Sequence, residues 1–157
     1  MITMPLRITI DDLTGPDITA LLQEHVDQMR AITPPESKHA LDLDALRHPD
    51  ITLWTAHDGD QLLGCAALKH LDPHNAEIKS MRTATRAQRR GVAATLLTHL
   101  IEQARHRGYQ RLYLETGAAD FFAPARTLYQ RFGFQPCEPF ADYRPDPNSV
   151  HLTKLLT

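Results

Sequence analysis

The spacing of apolar residues changes from that of strands to that of a helix between residues 83 and 90, and this change constrains what the chain can fold into. Before it, from Ile51 to Thr83, three apolar segments of strand length follow one another with only short turns between them. After it, from about Arg90 to Arg107, apolar side chains recur at helical spacing, and a strand centred on Tyr113 follows. Strands joined by short turns pair antiparallel, whereas two strands joined by a helix pair in parallel. The sequence therefore predicts an α/β fold with a mixed, mostly antiparallel sheet.

Weaker patterns predict the elements at both ends of the chain. They are a strand, a helix ended by Pro34-Pro35, a short helix, a last helix ended by Gly133 and two short strands, near residues 6–10, 16–33, 41–46, 125–132, 134 and 150–155. The hairpin turn over residues 57–60 is expected to have Asp58-Gly59 at its centre. No repeat, linker or low-complexity segment interrupts the pattern, so a single domain over residues 1–157 is predicted.

Composition excludes several classes of function. The net charge of −2 gives no basic bias, so neither nucleic acid nor an anionic membrane is the expected partner. No apolar run reaches the roughly 20 residues that a membrane-spanning helix needs, and the first residues lack the apolar core of a signal peptide. Two cysteines, Cys65 and Cys137, form no disulfide framework and no metal-binding pair. These features favour a cytoplasmic protein.

Positive charge is concentrated at one point, in front of the predicted helix. Arg86, Arg89 and Arg90 surround Gly91, and no carboxylate lies near them in the sequence. The first turn of a helix presents unpaired N–H groups and a partial positive charge, so an anion such as a pyrophosphate is stabilised there. Neither the GxxxxGK[ST] nor the GxGxxG pattern is present. An exposed, solvated arginine turn is the alternative interpretation.

Three motifs in order resemble the GCN5-related N-acetyltransferase (GNAT) superfamily. They are the Gln88–Ala93 segment QRRGVA, the Ala76–Thr83 strand AEIKSMRT and the Ala125–Phe134 segment ARTLYQRFGF. Residues 36–42 also resemble a segment of a small bacterial subgroup of that superfamily. The resemblance covers nearly the whole chain and implies a GNAT fold, in which helices cover both faces of the sheet. It also implies an acetyl-CoA-dependent N-acetyltransferase, with acetyl-CoA as co-substrate.

The resemblance assigns the cofactor to two neighbouring segments. In the family the fourth strand has a bulge and splays from the fifth, and its backbone N–H groups bind the acetyl carbonyl and the pantetheine arm; here that strand segment is Met81, Arg82 and Thr83. In the family the following turn and helix start hold the pyrophosphate. Here the residues at those positions are Gln88, Arg89, Arg90, Gly91, Val92, Ala93 and Ala94. Arg89 stands where many members have a glycine.

Two side chains resemble the family's catalytic groups. Glu77 matches the position of a catalytic glutamate and is predicted to be the general base, with a surface ion pair as the alternative. Tyr129 matches the tyrosine beside the CoA sulfur and is predicted to be the general acid, with a core tyrosine as the alternative. Glu115, at the end of the next strand, is either a rival base or a contact for the acceptor amine.

The acceptor side is the least determined part of the prediction. Ser37 and His39, in the loop after the first helix, are predicted to contact the acceptor, with a local capping role as the alternative for His39. Arg144 in a second loop could hold a carboxylate on the acceptor. His25 is expected to be a half-buried side chain with its hydrogen bonds satisfied, and no metal site is predicted. The acceptor is predicted to be an amine on a small molecule or peptide. A CoA-binding sensor without turnover is the alternative function. Homodimers are common in the family, so the resemblance allows a homodimer.

Overall fold

The structure, a computed structural model, describes residues 6–32 and 43–156. Seven strands form one sheet in the order β1-β2-β3-β4-β5-β7-β6. The strands are β1 (Arg7–Ile10), β2 (Ile51–Asp58), β3 (Gln61–Asp72), β4 (Asn75–Thr83), β5 (Arg111–Gly117), β6 (Gln135–Pro136) and β7 (Ser149–Leu155). The helices are α1 (Pro16–Ile32), α2 (Leu43–Leu46), α3 (Val92–His106) and α4 (Ala123–Arg131). No described helix has the length and apolar character needed to cross a membrane.

The mixed sheet follows the predicted pattern. Strands β1 to β4 pair antiparallel in sequence order, and β5 pairs antiparallel with β7. β4 and β5, which α3 connects, pair in parallel. The β2–β3 turn differs from its prediction by one residue. Asp58 pairs with Gln61, so the turn is centred on Gly59-Asp60, and Gly59 has a φ of 57° that a glycine adopts without strain.

Helices cover both faces of the sheet, and one close approach shows this. Gly64 in β3 lies under α3, since a Cβ there would come within 2.9 Å of Val92 Cγ1 and 3.2 Å of Leu96 Cδ1. The next residue, Cys65, has its side chain on the opposite face, because side chains alternate along a strand. Arg82, the β4 partner of Cys65, points the same way and bonds to α1. α1 and α3 therefore lie on opposite faces.

β4 bulges and then separates from β5, as the resemblance implied. Cys65 pairs with Arg82 and Ala67 with Lys79, so Ser80 and Met81 together face the single residue Ala66. Ser80 has a φ of 54°, which marks the extra residue of the bulge. β4 and β5 pair only over Asn75–Ile78 and Arg111–Leu114. The edge of β4 that faces β5 is therefore unpaired from residue 79 onward.

The turn before α3 is shaped by two left-handed residues. Arg89 has a φ of 67° and Gly91 a φ of 79°, so the helix begins at Val92 rather than near Arg90. No heavy atom lies within 4 Å of a Cβ built on Gly91. The backbone there is open to a large ligand, and it leads directly to the N–H groups of the first turn of α3.

Candidate active site

A cleft of about 670 Å³ opens where β4 and β5 separate. It runs from the N-terminus of α3, past the bulged edge of β4, to the face of the sheet that α1 covers. Twelve of the predicted site residues line it: Glu77, Met81, Arg82, Thr83, Gln88, Arg89, Gly91, Val92, Ala93, Ala94, Glu115 and Tyr129. Of the remaining predictions, Arg90 lies outside the lining, and Ser37 and His39 lie outside the described residues.

In the arginine–glycine turn (residues 86–91), two of the three arginines bond to other parts of the protein instead of facing the cleft. Arg90 Nη2 lies 3.4 Å from Asp58 Oδ2 on the β2–β3 hairpin, and Arg86 Nη2 donates to Leu62 O at 2.6 Å. The expectation that these arginines lack a carboxylate partner is therefore wrong for Arg90. The left-handed backbone at Arg89 and Gly91 explains the difference, because it turns consecutive side chains in different directions. Arg89 lines the cleft at the helix N-terminus.

Glu77 is a buried carboxylate rather than a surface one, with 2% of the residue exposed. Lys79 Nζ donates to its Oε2 at 3.2 Å, and the Tyr143 hydroxyl donates to the same oxygen at 2.6 Å. The ammonium of Lys79 also donates to the Tyr143 hydroxyl oxygen at 2.9 Å. Burial, reinforced by the negative charge of Glu77, raises the pKa of Tyr143 far above its usual range. Tyr143 is therefore a neutral donor at any physiological pH.

Tyr129, on α4, also lines the cleft. It is 6% exposed, and burial raises its pKa to about 12, with a further contribution from the charge of Glu115. Its hydroxyl is therefore protonated at neutral pH and able to donate a proton or a hydrogen bond. Glu115 accepts a bond from Ser149 Oγ at 2.8 Å and also lines the cleft.

The α1 wall of the cleft contains an ion pair and a neutral histidine. Arg82 is 7% exposed; its Nη2 donates to Glu24 Oε1 at 2.5 Å and its Nη1 donates to Gln28 Oε1. Thr85 Oγ1 donates to the same Glu24 oxygen at 2.9 Å, which ties β4 and the following turn to α1. Burial, with the nearby charge of Arg82, lowers the pKa of His25 to about 4.

His25 and Arg144 differ from their predictions. The Nδ1 of His25 is buried without a hydrogen-bond partner among the described residues, so the expectation of a satisfied side chain is wrong. Arg144 is exposed and is absent from the cleft lining, whereas its neighbour Tyr143 reaches in. Within the described ranges, no group of three or more His, Cys, Asp or Glu side chains could hold a metal ion.

Other lining residues were missing from the predicted set. Among them are His25, Met29, Lys79, Ser80, Tyr143 and Asn148. Lys79 was detectable, because it lies two residues from Glu77 on the same face of a strand. Tyr143 had no local signal, since it is 66 residues from Glu77 in the chain.

Comparisons with known proteins agree with this architecture. A family model described as the acetyltransferase (GNAT) family matches residues 18–134. The uncharacterized N-acetyltransferase YsnE of Bacillus subtilis is 57% identical over 96% of this chain and 100% of its own. The uncharacterized N-acetyltransferase YedL of Escherichia coli is 48% identical over 95% and 94%. A protein of Azospirillum brasilense named IAA acetyltransferase is 33% identical over 88% and 90%.

Solved structures show the same fold. An acetyltransferase of Bacillus subtilis in complex with CoA has a TM-score of 0.70 and 21% identity, covering 98% of this chain and 100% of its own. A GNAT family acetyltransferase of Elizabethkingia anophelis with acetyl-CoA bound has a TM-score of 0.67 and 21% identity, covering 96% and 98%.

Proposed function

Since this chain belongs to the GNAT acetyltransferase family and is therefore an N-acetyltransferase, we propose that it transfers the acetyl group of acetyl-CoA directly to a primary amine of a small molecule or peptide. One observation carries the proposal. The separation of β4 from β5 brings a buried carboxylate, Glu77, and a protonated phenol, Tyr129, to the walls of one cleft beside an unpaired strand edge.

The residues present fit acetyl-CoA along the length of this cleft. The first-turn N–H groups of α3 and the Arg89 guanidinium would hold the pyrophosphate, because a helix N-terminus and a cation both stabilise phosphate. The open space around Gly91 permits close approach to the backbone. The unpaired edge of β4 at Met81, Arg82 and Thr83 would bind the pantetheine amides and the acetyl carbonyl, as another strand would be bound.

Each chemical requirement of the transfer has a residue to meet it. Glu77 accepts the proton that the amine loses as its nitrogen bonds to the acetyl carbon. The backbone N–H groups of the bulged β4 stabilise the negative charge on the carbonyl oxygen, since they are fixed donors that bring no competing charge. Tyr129 gives its proton to the departing CoA thiolate.

Direct transfer is favoured over an acetyl-cysteine route. Cys65 is fully buried, and burial raises the pKa of its thiol to about 12, so it is not a thiolate at neutral pH. Burial also raises the pKa of Cys137, and this residue does not line the cleft. Neither thiol is activated as a nucleophile.

Calorimetric titration with acetyl-CoA tests the cofactor part of the proposal. Binding to the wild type and loss of at least tenfold in affinity in Arg89→Glu are expected, because a charge reversal at the pyrophosphate repels it. The control is Arg105→Glu, the same charge change at the exposed far end of α3, which should bind as the wild type does. Absence of binding to the folded wild type would contradict the proposal.

A panel of acceptors then tests turnover by the release of free CoA thiol. The panel contains amino acids, polyamines and peptides with a free N-terminus, together with IAA, which the name of the Azospirillum brasilense relative suggests. Acetylation of at least one primary amine is expected. Tight binding of acetyl-CoA with no release of CoA above background for any amine would favour the sensor.

A further inference from the structure

Tyr143 reaches the candidate base from a distant loop. This β6–β7 loop, residues 137–148, crosses the face of the sheet that carries Glu77. The Tyr143 hydroxyl donates to Glu77 Oε2 at 2.6 Å, which is a short bond of the kind that charge strengthens. Of the residues in the loop, Tyr143 and Asn148 line the cleft.

The three groups Lys79, Glu77 and Tyr143 form a closed ring of hydrogen bonds. Lys79 donates both to Glu77 Oε2 and to the Tyr143 hydroxyl oxygen, at 3.2 and 2.9 Å. Since the hydroxyl oxygen accepts from an ammonium, its one proton is directed to Glu77. Both bonds to the carboxylate use Oε2 and neither uses Oε1. The side chains of Lys79 and Glu77 are 9% and 3% exposed, so water screens these contacts little.

Aromatic packing holds Tyr143 in place independently of Glu77. Its ring lies 4.9 Å from the centroid of Phe140 and 5.3 Å from that of His151, both in edge-on contact. Phe140 in turn packs on Tyr113 at 4.8 Å, on the strand beside Glu77. The hydroxyl is therefore brought to Glu77 by a ring position that packing determines.

We propose that Tyr143 is a positioning residue for catalysis, which with Lys79 engages Oε2 of Glu77 and presents Oε1 to the acceptor amine. This inference rests on the proposed function, in which Glu77 is the base. The amine proton passes to Oε1 and from there to solvent as the nitrogen–carbon bond forms and the carbon–sulfur bond breaks. The thiolate takes its proton from Tyr129, so Tyr143 gains and loses none.

Tyr143→Phe removes the hydroxyl and keeps the packed ring. With an amine of the panel that the wild type acetylates, kcat is expected to fall about tenfold to a hundredfold, the range for a lost bond to a charged group. The KM for acetyl-CoA should stay unchanged. A carboxylate that loses a donor is protonated more readily, so the acidic limb of the pH profile of kcat moves to higher pH.

Tyr113→Phe is the matched control. It removes a hydroxyl from the same aromatic cluster, and among the described residues that hydroxyl bonds to neither Glu77 nor Lys79. Its kcat and pH profile are expected to match the wild type. A Tyr143→Phe variant with wild-type kcat and an unmoved acidic limb would overturn the inference.

A double-mutant cycle separates this inference from the proposed function. In a Glu77→Gln background, adding Tyr143→Phe is expected to cause no further loss of kcat, because the inference has the hydroxyl affect catalysis through Glu77. If Glu77→Gln keeps full activity, the assignment of the base is wrong and the inference fails, whereas the proposed transfer of acetyl to the amine still stands. If Glu77→Gln is inactive while Tyr143→Phe is fully active, the inference alone fails.

A second readout needs no acceptor. Spectrophotometric titration of the tyrosines should show a group in the wild type that stays protonated well above the usual range and is lost in Tyr143→Phe. In Glu77→Gln the pKa of Tyr143 should fall, since the negative charge of Glu77 contributes to its elevation. An unmoved Tyr143 titration in Glu77→Gln would show that the two groups are not in contact and would also overturn the inference.

Discussion

At the scale of single residues, burial gives Tyr129 the protonation state that its proposed role requires. Its pKa, raised to about 12 by burial and by Glu115, leaves the hydroxyl protonated across the working range of pH. In Tyr129→Phe, kcat is expected to fall about ten- to a thousandfold, because the departing thiolate loses its proton donor. Steady-state kinetics with a panel amine measures this, and calorimetry should show unchanged affinity for acetyl-CoA.

Tyr109→Phe is the control for Tyr129. Its hydroxyl bonds to His70 Nδ1 at 2.7 Å and it does not line the cleft. Full activity is expected from it. A Tyr129→Phe variant with wild-type kcat would show that another group, or water, protonates the thiolate.

A second single residue, His25, makes the stability of the fold depend on pH. Its pKa is about 4 in the folded chain, because burial and Arg82 disfavour its charged form, against about 6.5 when unfolded. Below pH 6.5 the unfolded chain binds a proton there that the folded chain does not, so stability falls as the pH decreases toward 4. Between pH 7 and pH 4 this proton lowers the free energy of unfolding by about 3 kcal/mol.

Urea unfolding at pH 7 and at pH 4 measures this linkage. His25→Gln, which removes the titrating group, should lose about 3 kcal/mol less than the wild type between the two pH values. His74→Gln, at an exposed turn, should behave as the wild type does. Equal losses in wild type and His25→Gln would mean that His25 accepts a proton freely in the folded chain.

At the scale of elements, Gly64 sets the distance between the sheet and α3. A Cβ at this position would lie 2.8 Å from the Arg82 carbonyl oxygen as well as against Val92. Gly64→Ala should therefore lower the free energy of unfolding by about 1 to 3 kcal/mol, through displacement of α3 or of the bulge. Urea unfolding measures it.

Gly15→Ala provides the comparison for Gly64. No heavy atom lies within 4 Å of a Cβ built there, so the change should stay below about 1 kcal/mol. If Gly64→Ala lowered the free energy of unfolding as little as Gly15→Ala does, α3 would pack on β3 less closely than in the structure.

At the scale of the whole molecule, acetyl-CoA joins segments that are far apart in the sequence. The cleft is lined by α1, both separated strands, the turn before α3, and α4. A ligand that binds only the folded chain, present at about 100 times its Kd, stabilises it by about 2.7 kcal/mol. For a chain of this size Tm should rise by roughly 5 to 10 °C.

Thermal unfolding with and without acetyl-CoA measures this rise. S-acetylpantetheine at the same concentration should give a much smaller shift, because it lacks the pyrophosphate that Arg89 and the start of α3 would hold. Equal Tm shifts with both compounds would mean that contacts to the pantetheine arm, and not contacts between the pyrophosphate and the arginine–glycine turn, provide the binding energy.

Local patterns predicted most of the elements, and the resemblance of the motifs predicted the residues of β4 and of the α3 start that line the cleft. Hydrophobic period distinguishes strands from helices within ten or so residues, and the left-handed positions at Gly91, Gly108 and Gly133 follow from local backbone sterics. The predicted start of one helix was wrong, because two neighbouring residues there are left-handed and the sequence indicated only one. The start of α3 moved by two residues, because Arg89 is left-handed as well as Gly91.

What the sequence by itself determined is the order of the elements, the family and the residues of the motifs. Only the tertiary structure decided which polar side chains meet: Arg90 with Asp58, Arg82 with Glu24, and Glu77 with Tyr143 across 66 residues of chain. The physical reason is that hydrophobic period is a local property of the chain. A charged side chain, in contrast, pairs with whichever partner the packed sheet brings within about 3 to 4 Å.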